Sequence, residues 1–121
     1  MLEMAGGAGD PGHVPDGESL VPLLKQNGSL KRDAICWHYP HFSNQGGMPG
    51  GAVRRSEYKL IHFYDDDRVE LYNLRDDLGE KNNLAAKMPQ KTAELRKLLD
   101  DWLLEVDATM CPPDPQWRAK Q

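Results

Sequence analysis

Residues 58–74 read YKLIHFYDDDRVELYNL. Apolar and aromatic residues dominate 58–64 and 68–74, and three aspartates, Asp65, Asp66 and Asp67, separate the two runs. Such runs on either side of a short polar connection predict an antiparallel hairpin. Alternation in the second run puts Val69, Leu71 and Asn73 on one face and Glu70, Tyr72 and Leu74 on the other. The aspartates are read as the solvated tip of the hairpin rather than as a carboxylate cluster built for chemistry.

Working outward, the upstream sequence supplies strand partners. Residues 34–39 (AICWHY) are rich in aromatic and β-favouring types and predict a strand. Residues 43–51 (SNQGGMPGG) carry four glycines and one proline, a composition that predicts a flexible loop. The strand pattern resumes at 52–55, and Ser56-Glu57 reads as a turn. Further upstream, 19–26 (SLVPLLKQ) predicts a helical turn that packs Leu20, Leu23 and Leu24, ended by Asn27-Gly28.

Downstream, 75–83 is a polar connection, and the span from about 89 to 106 is the strongest helix signal. Leu95, Leu98, Leu99, Trp102, Leu103 and Val106 recur at three- and four-residue steps and form one apolar stripe. Pro89 suits a first helical turn, where its missing N–H has no partner to lose. The order predicts an α+β fold, a small antiparallel sheet of about four strands packed against a C-terminal amphipathic helix. Roughly 75–80 residues would be structured, close to the lower limit for a self-sufficient core. Residues 1–29 read as a loosely structured lead-in, 30–110 as the folded subdomain and 111–121 as a flexible tail.

The chain has 121 residues and a formal net charge of −4 with mixed signs, which argues against a surface for nucleic-acid phosphates. No apolar run is long enough to cross a bilayer. No basic region followed by an apolar one opens the sequence, so no secretory signal is read in it. Cys36 and Cys111 lack CxxC spacing; thiols are the default reading, and whether the two pair stays open.

Residues 36–42 (CWHYPHF) hold the candidate chemistry. On an extended strand His38 and His41 would point to opposite faces, and no third ligand stands nearby at a useful spacing, so a zinc site through Cys36 and His38 is disfavoured. Ser43 beside His41 lies in a glycine-rich loop with no strained elbow to hold a nucleophile. Two readings of the histidines remain: satisfied, partly buried imidazoles, or the rim of a pocket where rings offer apolar faces and nitrogens offer donors.

Four stretches together carry a resemblance: DGESLVPLL (16–24), LKRDAICWHYPH (30–41), GGAVRRSEYKLIHFY (50–64) and VELYNLRDDLGEKNNLA (69–85). In this order they resemble the C-terminal region of type I sulfatases, arylsulfatase-like and N-sulfoglucosamine sulfohydrolase-like. The most specific part is ELYNLRDDLGEKNNLA, similar to that family's E-L-Y-(N/D)-L strand and D-x-G-E-x-x-N-L turn. MLEMAG (1–6) resembles the end of a preceding helix, and the likeness spans about residues 1–110.

The resemblance implies a subdomain that docks on a larger catalytic domain, absent here, which holds calcium and a formylglycine made from the cysteine of C-x-P-S-R. It also implies a sulfated ester or sulfated sugar as substrate of the intact enzyme, and a parent family often periplasmic or secreted. Cys36 is followed by Trp-His-Tyr-Pro, and Cys111 by Pro-Pro-Asp-Pro, so neither fits the conversion motif. The expectation is a C-terminal sulfatase piece, inactive alone, with no catalytic residue, metal ligand or cofactor of its own. The 37–51 strand and loop would approach the cleft mouth, with His38, His41, Arg54 and Arg55 as candidates for substrate contact; the arginine fork matches sulfate oxygens. The alternative is a stand-alone, non-catalytic interaction module derived from a sulfatase tail.

Overall fold

The 58–74 hairpin forms one half of a four-stranded antiparallel sheet, ending at an edge strand, in a computed structural model whose described residues are 3–7, 9, 10, 12, 17–44 and 46–112. The elements are a 3-10 turn (Glu3–Ala5), α1 (Val21–Leu24), β1 (Ala34–Tyr39), β2 (Gly50–Arg55), β3 (Tyr58–Phe63), β4 (Val69–Asn73) and α2 (Pro89–Glu105). The strands lie in sequence order, each antiparallel to its neighbour. The chain divides into two units, Met1–Asp33 and Ala34–Gln121.

The register of the second unit shows how the core is built. One cross-strand row runs Cys36–Val53–Leu60–Leu71. Leu95 and Leu99 of α2 close over it, and Val53, Leu60, Leu71, Leu95 and Leu99 are fully buried. The row His38–Gly51–His62–Val69 and the row Ala34–Arg55–Tyr58–Asn73 flank it on the same face. The opposite face carries Trp37–Ala52–Ile61–Glu70 at its centre. Period-2 alternation therefore divides each strand between a helix-covered side and an outer side.

Several boundaries differ from the sequence reading. β2 begins at Gly50, two residues inside the expected loop. A side chain at Gly51 would collide with the Tyr64 hydroxyl and approach Leu99, so the strand needs glycine where β propensity disfavours it. Both faces of β4 find cover: Leu71 lies under α2, while Tyr72 is buried on the outer side, its hydroxyl donating to Glu70 at 2.8 Å. Burial first, and Glu70 second, push that phenol up to about 12.

Val106 falls just past the end of α2 and is exposed rather than part of the stripe. The first unit has a four-residue helix opened by Pro22, too short to present a stripe, and Leu20, Leu23 and Leu24 are exposed instead of packed. Glu18 organises this unit: its carboxylate accepts from the Lys31 and Arg32 amides, which hold it below the usual carboxylate range. Of the expected flexible tail at 111–121, residues 113–121 lie outside the described residues, as do 1, 2, 8, 11 and 13–16 of the expected lead-in at 1–29.

Candidate functional site

The four residues singled out for substrate contact do not converge. Alternation sends Arg54 and Arg55 to opposite faces of β2. Arg55 lies on the helix side, where its guanidinium meets Glu94 of α2 at 3.3 Å. Arg54 is exposed on the outer face, with one long bond from Nε to the Ser56 carbonyl at 3.4 Å. His41, in the segment after β1, is exposed and meets the Tyr39 ring edge-on at 5.4 Å.

His38 is engaged at both ring nitrogens. Its Nε2 lies 2.9 Å from the Thr109 carbonyl oxygen, and its Nδ1 lies 2.8 Å from the Tyr64 hydroxyl. A carbonyl oxygen only accepts, so Nε2 carries a proton, and in the Nε2–H tautomer Nδ1 accepts from the Tyr64 hydroxyl. Burial, and then Asp100, push the Tyr64 hydroxyl up to about 12, with Arg96 opposing them, so the phenol keeps the proton it donates.

The network continues beneath Tyr64. The His62 ring meets the Tyr64 ring edge-on at 5.0 Å, and His62 Nε2 bonds Asp67 at 2.8 Å. Arg96 of α2 reaches the same Asp67 oxygen at 3.2 Å and Asp100 at 3.0 Å. The His62 hydrogen bond and then Arg96 hold the Asp67 carboxyl below its ordinary range. His62 Nδ1 is buried and has no hydrogen-bond partner among the described residues. Sequence reasoning missed Tyr64, Thr109 and Arg96. Tyr64 shares parity with His62 and so was within reach; nothing in the spacing points to Thr109.

On the outer face, Ile35, Trp37 and Tyr39 of β1 are 45%, 49% and 50% exposed. They border a trough whose floor is small, because β2 contributes Gly50 and Ala52 there. Trp37, Ala52, Arg54, Lys59, Leu74 and Glu80 line a groove of about 400 Å³. Lys59 is committed to Glu80 at 2.7 Å, which leaves Arg54 as the groove's more accessible cation.

The most specific sequence motif proves architectural. Asp77 accepts from the Lys81 and Asn82 amides at 2.8 and 2.7 Å, and these bonds lower its carboxyl. Asn83 Oδ1 accepts from the Leu71 amide at 3.1 Å and the Ala85 amide at 2.9 Å, so a side chain satisfies the free edge of β4. Neither cysteine fits an aldehyde precursor. Cys36 packs against the core cluster, and Cys111 turns its thiol to the Pro112 carbonyl. No three His, Cys, Asp or Glu side chains among the described residues gather to hold a metal ion. No described helix is long and apolar enough to cross a membrane.

Comparison with known proteins now adds a lineage. The family model described as N-sulphoglucosamine sulphohydrolase, C-terminal, matches residues 1–109. A sulfatase of Formosa agariphila is 34% identical over 105 residues, covering 77% of this chain and 19% of that protein. The solved structure of BT1596, a 2-O GAG sulfatase, superposes with a TM-score of 0.73 at 28% identity, covering 95% of this chain and 26% of that one. BT4656, solved in complex with its substrate D-glucosamine-2-N,6-O-disulfate, superposes with a TM-score of 0.65 at 32% identity, covering 84% of this chain and 22% of that one. The chain thus spans about a fifth to a quarter of the length of these three proteins.

Proposed function

This chain belongs to the N-sulphoglucosamine sulphohydrolase C-terminal family, and from that membership we propose that it is the supporting, non-catalytic subdomain of a sulfatase, without turnover of its own. In this reading its outer sheet face docks on a separate catalytic domain, and its 37–51 strand and loop contribute to the rim of the substrate cleft. Calcium and formylglycine would belong to that other domain, and the substrate would be a sulfated sugar. Neither Cys36 nor Cys111 stands in a C-x-P-S-R motif, and no three His, Cys, Asp or Glu among the described residues gather to hold a cation.

One observation carries the reading. Polar groups on the helix side are consumed internally, His38 by Tyr64 and Thr109 and Arg55 by Glu94, whereas the outer face leaves Ile35, Trp37 and Tyr39 half-exposed beside Arg54. An apolar patch of this kind, rimmed by charge, marks an interaction surface. Of the four proposed contacts, Arg54 and His41 are the ones whose side chains face outward.

The test pairs an enzymatic with a binding measurement. The purified chain is assayed with an aryl sulfate in the presence of calcium and a formylglycine-generating enzyme, and the expected rate equals buffer. It is then titrated into a separately expressed sulfatase catalytic domain lacking its own C-terminal subdomain, where saturable binding is expected. Turnover that copurifies with the chain, or no binding by a catalytic domain that is itself folded, would overturn the proposal.

A further inference from the structure

The loop at 40–49 is fastened at both ends to one residue, Tyr64, by its hydroxyl on one side and its backbone amide on the other. His38, two residues before Pro40, bonds the Tyr64 hydroxyl, and the Tyr64 amide donates to the Pro49 carbonyl at 3.0 Å. Between these ends the loop folds on itself, with the Ser43 amide donating to Gly47 at 2.8 Å and the Gly46 amide to Ser43 at 3.1 Å. His38 also holds Thr109, three residues beyond Val106, which caps α2. The two segments then meet: Phe42 and Pro49 of the loop, Tyr64, Asp65 and Cys111 line one cavity of about 40 Å³.

We propose that His38 and Tyr64 are positioning residues that join the segment following α2 to the 40–49 loop, so that residues 109–111 act as its buttress. His38 then contributes to substrate selection by fixing the loop and not by touching a ligand. The supporting geometry is specific. The ring spans a fixed donor on one side and a fixed acceptor on the other, and the absence of a Cβ at Gly51 is what lets the Tyr64 hydroxyl sit against the sheet. The His38–Tyr64 bond is partly shielded from water, where an unmade partner is costly, while the bond to Thr109 is exposed. The consequence for substrate selection rests on the proposed cleft-rim role; the mechanical coupling does not.

The test uses the full 121-residue chain. Nitrogen-15 spectra of the ring should report the Nε2–H tautomer of His38, and hydrogen exchange should report protection in 40–49 and 109–112. For His38→Ala, exchange in both segments is expected to rise, by up to about tenfold, the scale of one lost hydrogen bond. His38→Gln, whose amide nitrogen can stand at the Nε2 position, should recover the protection of 109–112 that alanine loses. Should His38→Ala fail to fold, Tyr64→Phe removes only the hydroxyl and should still loosen both segments. An Nδ1–H tautomer, or loosening of one segment without the other in His38→Ala or Tyr64→Phe, would overturn the coupling. Neither readout requires docking or turnover, so these results are separable from the fate of the proposed function.

Discussion

At Asp67 the backbone turns through φ 55°, a left-handed conformation that costs a side-chain-bearing residue something to adopt. The side chain is 80% exposed, yet it accepts from both His62 and Arg96, and these contacts fix the turn. Its folded pKa lies below the ordinary 3.8, so its contribution to stability is present above that value and is lost as pH falls through the lowered one. Asp67→Asn should therefore flatten the acid limb of a urea-midpoint-against-pH curve, and a mutant curve parallel to the wild type across that limb would refute the assignment. Asp77 and Glu94, lowered in the same direction, keep part of the limb in the mutant. The exposure of Asp66 and Asp67 was legible in sequence, whereas Asp65 is half-buried, and Asp67's partnership was not legible, because Arg96 comes from a helix 29 positions away. His38 was similarly ambiguous: its partners lie 26 and 71 positions away, beyond any local spacing rule.

Elements were more legible than contacts because burial is periodic. Steps of three and four in α2 and of two in β3 follow directly from which side each element buries, while β4 buries the consecutive Leu71 and Tyr72 on both faces. Their ends were less so. Gly50 and Gly51 look like loop residues until the space taken by Tyr64 and Leu99 is known, and Val106 looks like stripe until α2 stops at Glu105. Leu99 and Leu104 belong to the same helix and differ in consequence. Leu99 is fully buried against Val53, Leu60 and Leu71, while Leu104 is 80% exposed. Leu99→Ala should cost about 3 kcal/mol, the middle of the range for cavity-forming substitutions, whereas Leu104→Ala should change stability by less than about 0.5 kcal/mol. Equilibrium urea unfolding of the two variants measures the difference, and equal losses would mean that the helix docks by another face.

For the whole molecule the question is how a small sheet tolerates an apolar outer face. The helix covers one side with few fully buried side chains, and a domain of this size has little stability to spare. The other side presents Ile35, Trp37 and Tyr39 on β1, which occupies an edge of the sheet. Apolar side chains on an edge strand favour association with another surface, and in an isolated preparation the available surface is a second copy. Sedimentation velocity should accordingly show the wild-type chain moving from monomer to larger species as concentration rises through the micromolar range. Trp37→Lys combined with Tyr39→Lys places charge on that face without touching the buried Cys36–Val53–Leu60–Leu71 row. The double variant should stay monomeric, keep the wild-type far-ultraviolet circular dichroism, and lose binding to a sulfatase catalytic domain. A wild-type chain that sediments as a clean monomer at every concentration, or a double variant that still binds that domain, would mean that docking uses a different surface and that the half-exposed aromatics need another explanation.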